Sequence, residues 1–64
     1  MTEYPADSEE DRTRAAELYA AACELDARRE YAKAREKYEE SLRLHENEEV
    51  RAAYLKLLAT IGPL

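Results

Sequence analysis

The sequence predicts an all-α fold, a compact three-helix antiparallel bundle, and three observations lead there. Strong helix formers (Ala, Glu, Leu, Arg, Lys) fill most of the chain, and its single glycine is Gly62. Apolar residues recur at helical spacing in three separate segments. The apolar rhythm also breaks inside the stretch ELDARREYAKA, residues 24–34, which contains neither Gly nor Pro.

Sixty-four residues make one domain. A chain this short buries only about 60% of its unfolded surface, so good packing or a partner must stabilise it. The expected organisation is a disordered acidic tail over residues 1–7 and a single three-helix domain over 8–64.

The first helix is expected over about residues 8–28. Asp7 and Ser8 are both good N-caps, and Ser8 with Asp11 has the form of a capping box. Glu9, Glu10 and Asp11 then place negative charge at the positive end of the helix dipole. A second reading of this acidic cluster is a tail that binds a partner. Ala15, Leu18, Ala22 and Leu25 form one apolar stripe, with Tyr19 and Cys23 beside it.

Were that helix to continue, its stripe would fall on Arg29, Ala32, Glu36, Glu39 and Arg43, nearly all charged. The apolar positions resume instead at Tyr31, Ala34, Tyr38, Leu42 and His45, with Ser41 beside Leu42. The stripe has moved by roughly 200° around a helix. A straight rod would carry its two apolar halves on opposite sides, covering neither. A turn near Ala27–Glu30 folds a second helix, about 31–45, back on the first. With no glycine available, Arg28 or Arg29 must take the left-handed conformation there.

The third helix is expected over about 48–61. Asn47 is a strong N-cap, and Glu48 and Glu49 occupy the first turn. Val50, Ala53, Tyr54, Leu57, Leu58 and Ile61 make one face, and Leu55 falls off it. Gly62 caps the end and Pro63 blocks continuation.

Charge and chemistry narrow the function. Residues 1–11 carry five acids and no base, which accounts for the whole net charge of −5. A near-neutral body speaks against nucleic acid, which requires a basic excess. No apolar run approaches the ~18 residues that span a membrane, so no membrane insertion is expected. Cys23 is the only cysteine, which fits a reducing, cytoplasmic setting. His45 is the only histidine and lies on a different helix from Cys23. No nucleophilic pair, metal set or phosphate loop is therefore legible, and neither enzymatic activity nor a cofactor or metal is expected. The carboxylates interleave with bases at i, i+4 (Glu24 with Arg28, Arg35 with Glu39, Glu39 with Arg43), as solvated helix faces do.

Leu18, Ala21-Ala22 and Leu25, followed by Tyr31, Ala34, Tyr38 and Ser41, are similar in spacing to a tetratricopeptide repeat. Small residues at Ala22 and Ala34 suit two helices that cross closely. The likeness spans about residues 15–48 in one copy. Leu18 stands for the usual Trp, Arg29 near the usual turn Gly, and Glu46 where the closing Pro is common. The third helix then resembles a capping helix. The stretch Asp26, Tyr31, Ala34, Tyr38, Ser41 also resembles domains of the microtubule-interacting-and-transport type. Their third helix is usually longer than Val50–Ile61.

Both resemblances imply a groove that receives a peptide or helix of another protein, as an adaptor or scaffold module does. The repeat likeness implies that Ala16, Tyr19, Cys23 and Asp26 line the inner face of the first helix. Tyr19 is the expected anchor. Arg29, Lys33 and Lys37 repeat every four residues, as a solvent-facing strip or as a contact for an acidic segment. Leu55 completes the expected partner surface. The alternative expectation is a homodimer, a self-associating docking or small regulatory domain that buries Tyr19, Leu44 and Leu55.

Overall fold

The structure is a computed structural model that describes residues 9–62. It contains three helices: α1 (Glu9–Ala27), α2 (Tyr31–Leu44) and α3 (Glu48–Ile61). No strand occurs among the described residues. The acidic tail expected over residues 1–7, and the Ser8 half of the capping box, lie outside the described residues. Glu9, Glu10 and Asp11 do form the first turn of α1.

The break in the apolar rhythm is a turn. Glu30 N–H donates to Leu25 O at 2.8 Å and Arg29 N–H to Asp26 O at 2.9 Å. This is a Schellman closure of α1, which satisfies carbonyls that the helix end would otherwise leave open. It requires one residue in the left-handed region, and Arg29 takes it with φ 66°. The second link is extended: His45 (φ −156°) ends α2, and Asn47 (φ −143°) caps α3 by accepting Glu49 N–H at 2.8 Å. Glu46 receives Arg51 through Nε and Nη2 at 2.6 and 2.8 Å, which clasps the turn to the first part of α3. That hydrogen bond holds the Glu46 carboxyl below its ordinary value. Gly62, at φ 85°, closes α3 through its N–H to Leu58 O.

Helix α2 is the spine. On one side α1 runs antiparallel to it, so that Ala15 meets Ser41 while Cys23 and Asp26 meet Tyr38. On the other side lies α3, and α1 and α3 barely touch each other. The buried side chains are Ala15, Ala22, Ala34, Tyr38, Val50 and Leu57, with Ser41 the buried polar one. Ala22 and Ala34 are wholly buried, which lets the α1 and α2 backbones approach. Ser41 is wholly buried too, and its hydroxyl donates to Ala15 O at 2.8 Å.

Two assignments change. Leu18, expected on the buried stripe, is half-buried on the flank of α1 facing away from Tyr38. The seam runs through Ala15 and Ala22, rotated toward Tyr19 and Asp26, because the large Tyr38 ring must be covered. Ser41, placed beside the stripe, is in the seam, and Leu42 packs at its edge. Of the three expected i, i+4 pairs, Arg35–Glu39 forms at 3.7 Å. Glu39 also accepts the Tyr54 hydroxyl at 2.7 Å, and neither Arg28 nor Arg43 pairs with an acid among the described residues.

Candidate functional site

Because α1 and α3 both rest on α2 with little contact between them, they leave a gap over α2. At one end it holds a cavity of about 220 Å³, lined from α1 by Arg12, Ala15, Ala16 and Tyr19. Ser41 and His45 form its base, and Asn47, Glu49 and Val50 its far wall. Ala15, Ala16 and Ser41 are small and leave the space open between the larger Arg12, Tyr19 and His45.

Three tyrosine rings come next. Tyr38 lies between Tyr19 on α1 (centroids 6.1 Å apart, planes at 46°) and Tyr54 on α3 (6.3 Å, 53°). Tilted pairs at this spacing suit the ring quadrupoles. Beyond them the Tyr38 hydroxyl donates to Asp26 Oδ2 at 3.3 Å, with Cys23 Sγ 3.9 Å away. Burial pushes the Tyr38 phenol well above its ordinary range, and the neighbouring thiol and carboxylate push the same way. Burial also raises Tyr19, with Cys23 and Glu49 adding to it, while Tyr54 is raised mainly by its bond to Glu39. All three phenols stay protonated near neutrality and serve as packing and hydrogen-bond donors. Among the described residues no group of three His, Cys, Asp or Glu side chains is placed to hold a metal ion. None of their helices is long and apolar enough to cross a membrane.

The eight residues singled out from sequence fall in four places. Ala16 and Tyr19 line the cavity from α1, and Cys23 and Asp26 follow along the same helix against the Tyr38 hydroxyl. Tyr19 is half-buried against Tyr38, so it presents an edge to the groove rather than a free ring. Arg29 sits in the first turn. Lys33 and Lys37 lie roughly 140° and 100° round α2 from Tyr38, away from the groove, and pair with Glu30 at 3.4 Å and Glu40 at 3.8 Å. Leu55 is 54% exposed and roughly 120° round α3 from Glu49, so it too points away. Tyr19, Leu44 and Leu55, grouped from sequence as a dimer surface, do not form one patch.

The far wall was missed from sequence. Asn47 reads as a cap and Val50 as core, and both are so used. Their second role depends on where the α2–α3 link sets the start of α3, which no local pattern encodes. Ser41 had a signal, a small residue at a helix-crossing position. Comparison with known protein families, with curated proteins and with solved structures finds no match for this chain.

Proposed function

We propose that this protein is a non-catalytic interaction module that receives a peptide or helix of a partner protein in the groove between α1 and α3. One observation carries the reading: two helices share α2 as a base yet leave a gap with Ala15 and Ala16 on its wall, Ser41 and His45 at its base and Tyr19 at its edge. Such a gap admits an incoming backbone closely, and a half-buried tyrosine offers contact area that needs little further ordering. The wide separation of Tyr19, Leu44 and Leu55 favours this reading over self-association. The tetratricopeptide-like ancestry is retained as part of the proposal, with α3 in the place of a capping helix. An exposed, unpaired Cys23 suits a reducing compartment.

Selection of a random-peptide library on the immobilised protein tests the proposal. Enriched peptides should shift the amide resonances of residues 12–19 and 47–50. Ala16→Arg, which fills the groove from an exposed position, should weaken binding about tenfold or more, while circular dichroism shows the helices intact. Failure to enrich any peptide, or perturbations that avoid both walls, would contradict it.

A further inference from the structure

The opposite side of the α1–α2 hairpin carries a second hollow, of about 270 Å³, lined by Arg14, Leu18, Glu40, Arg43 and Leu44. Its volume falls below the roughly 300–1,000 Å³ of small-molecule pockets, and suits a side chain of a larger partner. Leu18 and Leu44 are half-buried, facing one another from α1 and α2 with no third helix above them. Burying this pair is the apolar reward the hollow offers.

The rim is what assigns the occupant. Arg14 and Arg43 are exposed, and among the described residues neither has an acid partner. Arg43 would be expected to meet Glu39 at i−4, but Glu39 is turned to Tyr54 and Arg35. Glu40, the only acid lining the hollow, stands 3.8 Å from the Lys37 ammonium. Lys33, further along the same side of α2, is likewise held by Glu30 at 3.4 Å, so among the described residues the bases at the leucine pair without an acid partner are Arg14 and Arg43. The lining side chains, Arg14 and Arg43 against Glu40, carry one net positive charge in a chain of net charge −5, and Arg14 has Glu9, Glu10 and Glu17 on its other side.

We propose that this hollow docks an acidic peptide segment of a partner protein. An aliphatic side chain of that segment inserts between Leu18 and Leu44, and its flanking carboxylates face Arg14 and Arg43. Guanidinium groups favour planar, two-point contact with carboxylates, which lysines alone would not supply. The attraction between exposed charges weakens as salt rises, so binding is salt-dependent. This surface is independent of the groove between α1 and α3, and the two proposals fail separately.

The test uses the full chain, isotope-labelled, titrated with the acetylated and amidated peptide EDLLDE. Its controls are the neutral QNLLNQ and the apolar-deleted EDSSDE. Saturable shifts should appear at Arg14, Leu18, Arg43 and Leu44, and both controls should bind about fivefold or more weakly. Arg14→Gln with Arg43→Gln, both at exposed positions and with the helices verified intact by circular dichroism, should abolish the preference of EDLLDE over QNLLNQ. Equal binding of EDLLDE and QNLLNQ, or shifts centred elsewhere, would overturn the proposal. So would shifts at Leu18 and Leu44 that grow with protein concentration without peptide, which would assign the hollow to a second copy. Contacts there from the chain's own residues 1–8 in the peptide-free protein would overturn it in favour of an internal occupant.

Discussion

Arg29 shows what a single residue contributes to the direction of the chain. A left-handed conformation costs a side-chain-bearing residue roughly 1–2 kcal/mol, and glycine adopts it freely at some expense in unfolded-state entropy. Arg29→Gly should therefore stabilise the fold by about 0.5–1 kcal/mol, read as a higher urea midpoint at unchanged slope. A lower midpoint would mean that the arginine side chain itself holds the turn. Ser41 is the reverse case, a polar group sealed in the seam whose only reason to be there is Ala15 O. Ser41→Ala should cost about 1 kcal/mol. Ala22→Leu, by forcing apart helices that meet without free space, should cost about 1–3 kcal/mol. If equilibrium unfolding shows Ala22→Leu to be neutral, the close crossing is wrong.

Among the elements, what was legible in sequence and what was not divide along a physical line. Helix ends are governed by local chemistry, so Asn47, Gly62 and the turn at 27–30 could be read from a few residues each. The displaced stripe gave away the reversal because a rod cannot bury both halves. Which face of α1 turns inward was harder. Leu18 belongs to the stripe by periodicity, yet Tyr38 is larger and its covering decides the rotation. The site divides likewise: the α1 wall follows from one helix face, whereas the α3 wall depends on a link whose angle no local pattern sets. Asn47→Ala should cost about 1 kcal/mol and loosen the start of α3 first, visible as faster amide exchange at residues 48–51 with α1 unaffected.

The tyrosines that join the three helices also predict a pH response. Tyr19, Tyr38 and Tyr54 are all raised from 10.0 in the folded state. The unfolded chain therefore releases these protons first as pH increases, and the folded state then binds more protons than the unfolded one. Their contribution to stability is complete below pH 10 and is lost as pH rises through the folded-state values. Urea midpoints should fall above that point, and Tyr38→Phe should flatten the fall. An unchanged slope in Tyr38→Phe would mean that Tyr38 is not sealed between its neighbours.

At the scale of the whole molecule, both proposed surfaces arise from α2 serving as a shared spine. A closed bundle, with α1 packed firmly on α3, would have no groove at Ala16 and Tyr19. A nitroxide on exposed Cys23 tests most directly that the chain folds back on itself about α2, using the chain's own cysteine. The folded arrangement places Tyr38 beside the label, with the Tyr54 ring against it. Amides around both Tyr38 and Tyr54 should therefore broaden strongly in the labelled protein and recover on reduction. In an unbroken helical rod Tyr54 would lie about 46 Å from the label. Broadening confined to the sequence neighbours of Cys23, with Tyr54 untouched, would contradict the account.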